Sequence, residues 1–339
     1  MDRRKFLAAT PFAAAAGTGP SRDWLLNALD QDQPAQRGTR VRLEDVTSVR
    51  NMFGVFQEID VMQGGGAGRL LLTSYMNAQV YPLLRRTHSE QVRRALCGAA
   101  AEQTYLLGWM AFDNGEHGTA QRYLIQALRL AEESRDVPLG AHVLAGMADQ
   151  ATLVGRPEEG RRLAQAARQG VRDADARACL ADLWALEARA LAVLGDAKGA
   201  ALAVSSSERV FGQVEPAREP EWAKFIDAAY LHGEHANAFR DLKQPEHAAE
   251  HARQSIAHAR TQQRSRRGAM SQAALAAAHL QKGDLEHGHA AGLKTLALAR
   301  KVRSSRCHDA VRDVRQRMIP FGAHPLVSDF SERSRLVAA

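Results

Sequence analysis

Cysteine is nearly absent: Cys97, Cys179 and Cys307 stand alone in 339 residues, and no two of them form a C-x-x-C pair. An odd, scattered set excludes a disulfide framework and a zinc ribbon and fits a reducing compartment. Cys97 and Cys179 lie in apolar helical runs, where a thiol packs as a small hydrophobe. Aromatic residues make up only 6% of the chain while alanine is abundant, which suits close-packed helices better than a sheet core. No stretch alternates apolar and polar residues as a half-buried strand would. No apolar run approaches the roughly 18 residues that mark a membrane span. Catalytic signatures are missing too: there is no G-x-S-x-G, no Cys-His pair in register and no paired-carboxylate constellation. The enzyme classes that need these motifs are set aside.

What is present is helical periodicity. Residues 101–134 read as two helices folded back on each other, with Leu106, Leu107, Met110 and Ala111 on one apolar face. Asp113-Asn114-Gly115 breaks that pattern, and Ala120, Leu124, Ala127, Leu128 and Ala131 form the stripe of a second helix. A hairpin of this kind cannot bury its apolar face alone, so it predicts neighbours. Gly115 has counterparts at Gly155, Gly195, Lys243 and Gly283, at intervals of 40, 40, 48 and 40 residues. A recurrent period of this size marks a helical repeat array. Small residues recur five positions beyond each turn, at Ala120, Gly160, Ala200, Ala248 and Gly288, where helix backbones approach closely.

These residues resemble the tetratricopeptide repeat, whose signature matches Leu107-Gly108, Gly115, Ala120 and Ala127-Leu128. The resemblance implies an all-α fold, a right-handed α-solenoid of antiparallel helix hairpins with a period of about 40 residues. The array is expected to span residues 41–325, after an N-terminal junction and linker at 1–40 and before a flexible tail at 326–339. Within the linker, Trp24–Leu29 reads as one short helical turn. A helix from Leu43 to about Met62 carries Val46, Val49, Met52, Phe53, Phe56 and Ile59 on one face, and another runs from Leu70 to about Arg85. The glycine cluster between them, Gly64-Gly65-Gly66-Ala67-Gly68, lacks the strand and the Lys-Ser/Thr of a phosphate loop and reads as an interhelical turn.

Charge is unevenly placed. Residues 251–339 hold 16 Lys/Arg against 6 Asp/Glu, a net of +10, while residues 1–250 hold 29 against 32, a net of −3. A basic end attracts nucleic acid or acidic protein, or it is simply a solvated helix face, the reading adopted here. The start, Asp2-Arg3-Arg4-Lys5-Phe6-Leu7, looks like a twin-arginine export signal followed by a short apolar segment from Phe6 to Gly17. The longer runs VRNMFGVFQEIDVMQGGGAGRLLLTSYMNAQVYPLLR, AEQTYLLGWMAFDNGEHGTAQRYLIQALRLA and LGAHVLAGMADQA resemble the C-terminal region of actinobacterial helix-turn-helix transcriptional regulators. In that family the junction before the helical region often reads like Arg3-Arg4-Lys5-Phe6-Leu7. The resemblance implies a cytoplasmic regulatory protein rather than an exported adaptor. The sequence has no helix-turn-helix of its own, so direct sequence-specific DNA binding by this chain is not expected; a start lying further upstream would change that.

One metal pattern stands out. His247-Ala248-Ala249-Glu250-His251 fits the H-x-x-E-H of inverted zincins, which would make His247 and His251 the ligands and Glu250 the base of a zinc hydrolase. Because Ala248 occupies the packed small-residue slot, the two histidines fall beside the buried stripe, and no cofactor or metal is assigned. His232, His235, His287 and His289 read as exposed polar histidines near helix starts or turns. The expected working surface is the concave groove lined by the first helix of each hairpin. It includes Tyr105, Trp109, Phe112, Asp149, Arg189, Asn237 and Arg240, where aromatics, Asn and Arg would hold a partner protein or peptide. On this reading the chain is a non-catalytic adaptor in transcriptional or developmental regulation, with homodimerisation open.

Overall fold

Helix starts in this chain are set by short polar side chains. Ser89, Asp136, Asp196, Asp227, Asp284 and Ser304 each accept a hydrogen bond from a backbone N–H in the first turn of the helix that follows. Pro157 and Pro245 open two further helices, where a missing N–H costs nothing. The computed structural model describes residues 40–171 and 176–335. The linker expected at 1–40, with its arginine pair and the turn at Trp24–Leu29, lies outside them apart from Arg40.

The described residues are helical, with no strand among them. Helix α1 is Leu43–Gln63 and α2 Gly65–Tyr75, which continues through a π turn at Met76–Val80 into the short α3, Tyr81–Leu84. Five pairs follow: α4 (Glu90–Asp113) with α5 (His117–Ser134), α6 (Val137–Leu153) with α7 (Pro157–Gly170), and α8 (Arg177–Val193) with α9 (Ala197–Phe211). The next two are α10 (Ala228–Asp241) with α11 (Pro245–Thr261) and α12 (Ser265–Gln281) with α13 (Leu285–Ala299). Helices α14 (Ser305–Met318) and α15 (Pro325–Arg335) complete the chain. Each first helix packs on the first helix of the next pair.

The turn residues behave as their spacing predicts. Gly115, Gly155, Gly195 and Gly283 have φ of 75°, 83°, 81° and 79°, and Lys243, in the same slot, has φ 56°. The small residues five positions later are all buried. Leu128 is only partly buried at the edge of its cluster, and Leu124, 1% exposed, takes the core position beside it. All three cysteines are free and buried. The interval of 48 is accounted for by a connection between α9 and α10, where Trp222 and Ile226 enter the core and Trp222 stacks on His142 with ring centroids 4.8 Å apart.

Two expectations are corrected. Residues 326–335 are not a tail: they belong to α15, whose Phe330 is fully buried against Gly292 and Val314, because a large aromatic there finds an apolar seat. The basic C-terminal part is not only a solvated face, since Arg264, Arg266 and Arg267 turn inward and pair with buried or half-buried carboxylates, and Arg306 turns inward against Trp109 and Phe112.

The glycine run is not the turn expected: Gly64 alone breaks the chain, Gly65, Gly66 and Gly68 already lie in the first turns of α2, and the run is also a seam. Gly66 N–H donates to the Arg303 carbonyl at 3.1 Å and Arg303 N–H donates to the Gln63 carbonyl at 2.7 Å. Gly65 N–H donates to Asp113 Oδ2 at 2.9 Å, and the Ser304 hydroxyl donates to Asp113 Oδ1 at 2.9 Å. The first helices thus meet the last ones, and the row of pairs closes on itself. At Gly64, with φ 88°, an added Cβ would stand 2.5 Å from the Arg303 carbonyl oxygen; at Gly155, with φ 83°, it would meet nothing within 4 Å. Both Gly→Ala changes carry positive-φ backbone strain of roughly 1–3 kcal/mol, and Gly64, with ψ 163°, sits in a region essentially reserved for glycine. Gly64→Ala adds the clash, so its urea midpoint should fall well below that of Gly155→Ala; equal midpoints would deny the seam.

Candidate functional site: an arginine-lined cavity on the inner face

Closure turns the inner face into an interior. Packing α1 against α12 leaves a small cavity of about 60 Å³. Its walls are Phe53 and Asp60 of α1, Tyr105 and Trp109 of α4, Phe225 and Tyr230 around the start of α10, Arg266 and Arg267 of α12, and Arg306 of α14. Small-molecule sites usually offer about 300–1,000 Å³. This one admits a single small group such as a carboxylate or a short side chain, not an extended peptide.

Its electrostatics are those of a buried network. Arg266 donates to both oxygens of Asp60, at 2.6 and 3.2 Å, and lies 3.1 Å from Asp113. Arg267 pairs with Glu234 at 3.0 Å and lies over the Tyr230 ring, 4.7 Å from its centroid. Arg189 pairs with the other oxygen of Glu234 and stands 3.9 Å from Asp149. Charges removed from water are tolerable only when paired and hydrogen-bonded in this way. Burial opposes the ionisation of Glu234, but the Arg189 and Arg267 guanidinium groups outweigh it and hold the carboxyl down at about 2. Asp113 is likewise held below its usual range: burial is offset by Arg266 and Arg306 and by the Gly65 N–H. Asp182 goes the other way, since burial pushes it well above its usual range despite a hydrogen bond with Tyr230.

Arg306 differs from its neighbours. Its guanidinium lies 5.1 Å from the Trp109 ring centroid and 4.9 Å from that of Phe112, inside the range of cation–π attraction. Its nearest carboxylate, Asp149, is 3.8 Å away, too far for a hydrogen bond. This side chain lies against flat rings and lines the cavity.

The residues expected to line a groove divide accordingly. Tyr105 and Trp109 line the cavity, and Asp149 and Arg189 lie behind it in the same charge network. Phe112 is 1% exposed and packs beneath Trp109, with ring centroids 5.4 Å apart. Asn237 and Arg240 stand elsewhere: Arg240 donates to Asn237 Oδ1 at 2.8 Å and pairs with Asp241 at 2.7 Å. Neither Arg189, 3% exposed, nor Arg240, partly buried and paired, is the open surface charge that an accessible groove requires.

Sequence reasoning missed Asp60, Asp113, Glu234, Arg266, Arg267 and Arg306. The available signal was Arg264-Ser265-Arg266-Arg267 at a helix start, whose arginines have no nearby acidic partner in sequence. The zincin pattern does not assemble. Glu250 points away to Arg253 and Gln254, and among the described residues the groups close enough to share an ion include His251 but not His247.

Glu234 sets a pH dependence. Its folded carboxyl ionises near 2 against an ordinary 4.5, so its stabilisation is complete above about 4.5 and is lost as pH falls toward 2. Glu234→Gln should lower stability at pH 7 by roughly 3 kcal/mol, because two guanidinium groups lose a buried partner. It should also flatten the fall in stability between pH 4.5 and 2, measured by urea unfolding at each pH; an unchanged acid limb would contradict the assignment.

Compared with known proteins, the chain matches no protein-family model and no curated protein.

Proposed function

We propose that the chain is a non-catalytic binding module, a right-handed tetratricopeptide-like solenoid of about 40-residue repeats, which recognises an acidic group of a partner protein or peptide. The observation that carries this reading is Arg306, which lies against Trp109 and Phe112, lines a small aromatic cavity and has no carboxylate within hydrogen-bond distance. A planar guanidinium fixed in this way has little freedom left to lose and pairs bidentately with a carboxylate. The neighbouring arginines are already committed to Asp60, Asp113 and Glu234, so they shape the wall while Arg306 receives the ligand.

The size of the cavity narrows the ligand to one inserted group, either a terminal carboxylate or a single acidic side chain. The rest of the partner would lie outside, against α1 and α12. The resemblance to the helical region of helix-turn-helix regulators supports a role in transcriptional or developmental regulation in the cytoplasm. On that view the partner supplies or controls the DNA contact.

A library of fluorescent tetrapeptides with free C-terminal carboxylates, paired with the same peptides amidated, tests this reading. The native chain should bind members of the free-carboxylate set and prefer acidic sequences. Arg306→Ala, still folded by circular dichroism, should weaken binding by roughly 10–100-fold, the worth of a charge-assisted hydrogen-bond pair. Equal binding to amidated peptides that lack an acidic side chain, or no effect of Arg306→Ala, would contradict it.

A further inference from the structure

On the opposite side of α10 from the cavity, three histidines and a glutamate from three helices converge. His232 and His235 are one turn apart on α10, His251 is on α11 and Glu208 is on α9. One ligand atom from each lies within 4.8 Å of all the others. His232 Nδ1 and His251 Nδ1 are 3.1 Å apart, and Glu208 Oε1 is 4.0 Å from His251 Nδ1. Zinc–nitrogen bonds of about 2.0–2.1 Å in a tetrahedron place neighbouring nitrogens about 3.3 Å apart. The two imidazoles therefore already stand at nearly the separation that a shared zinc ion imposes.

The second observation is independent of that spacing. His235 is 1% exposed, and neither of its ring nitrogens has a hydrogen-bond partner. Buried polar atoms are nearly always satisfied, and an orphaned pair on one ring calls for a partner that the protein atoms do not supply. His235 meets His232 and His251 edge to face, with centroids 6.1 and 5.2 Å away, so its ring borders the point on which the others converge. His258, stacked 6.3 Å from His232, and His247, packed on Phe239, are the other imidazoles nearby and stand outside the set.

We propose that His232, His235, His251 and Glu208 bind one zinc ion. Three imidazoles and a carboxylate fill four tetrahedral positions with the nitrogen and oxygen donors that suit zinc and leave none open, so the site is structural. It joins α9 to the α10–α11 pair across the connection at 212–227, where the helix pairs depart from their regular spacing. His251 thereby has a metal role different from the zincin pattern, with partners on other helices in place of His247 and Glu250.

The experiment uses the full chain, stripped with a chelator and titrated with Zn²⁺ alone in competition with a chromophoric chelator. One ion per chain should bind with a Kd below about 1 µM and raise the melting temperature, while Mg²⁺ does neither. His251→Ala, at a partly exposed position, and His235→Phe, which refills the buried site, should each weaken zinc binding by at least about 100-fold. His287→Ala, in the exposed His279–Asp284–His287 group, should leave binding unchanged. Co²⁺ in the native chain should give the intense visible bands of tetrahedral coordination, and His251→Ala should lose them. Less than half an ion bound per chain at about 10 µM free Zn²⁺, roughly tenfold above the highest expected Kd, overturns the proposal. So does native affinity in His251→Ala, or loss of binding in His287→Ala. If His235→Phe fails to fold, His251→Ala and the Co²⁺ spectrum decide the matter.

Discussion

The arrangement depends on one cation. Arg266, at the start of α12, lies between Asp60 near the end of α1 and Asp113 at the end of α4; both carboxylates are buried and Arg266 is mostly so. A guanidinium in that position is costly unless its donors are taken up, and here two carboxylates from distant parts of the chain take them up. Asp113 also receives the Gly65 N–H and the Ser304 hydroxyl, so the same carboxylate caps α2 and anchors the segment before α14. Removing Arg266 leaves both carboxylates without the cation they share. That is why the first and last helices are bound together more specifically than apolar packing alone would bind them.

Closure brings α1 against α12 and leaves a small cavity between them. An open groove binds by length and shape, but a cavity of about 60 Å³ selects for a single group. The polar residues behind it are arranged so that most charges cancel within the protein: Glu234 between Arg189 and Arg267, and Asp60 and Asp113 around Arg266. Arg306, held by Trp109 and Phe112 rather than by a close carboxylate, is the charge least satisfied from within. On the proposed reading, a ligand would meet the position where internal pairing is incomplete.

Much of the fold was legible in sequence because its signals are local. The turn residues could be aligned by spacing, and Lys243 was placed in a glycine slot whose φ of 56° requires the same backbone conformation. The apolar stripes of α1, α4 and α5 could be read from the three-and-four pattern, apart from Leu128 at its edge. Helical register points Tyr105, Trp109, Asp149 and Arg189 inward, which is why sequence could place them near the cavity and its charge network. Closure was not legible, since nothing local links Gly64 to Arg303 or Asp60 to Arg266. The arginines of α12 looked like a solvated basic face because their carboxylate partners are up to 206 positions away. The histidines of α10 looked exposed for a similar reason: the burial of His235 comes from packing between helix pairs, not from its neighbours in sequence.

The claim on which the rest hangs is that the two ends of the row are joined. The backbone amides of Gly66 and Arg303 report it directly, because each donates to a carbonyl across the seam. Hydrogen–deuterium exchange of the native chain should show both amides exchanging as slowly as the core amides of α4, opening only with global unfolding. Exchange at the rate of a fraying helix end, with α4 still protected, would show that the seam opens freely and that the inner face is a groove.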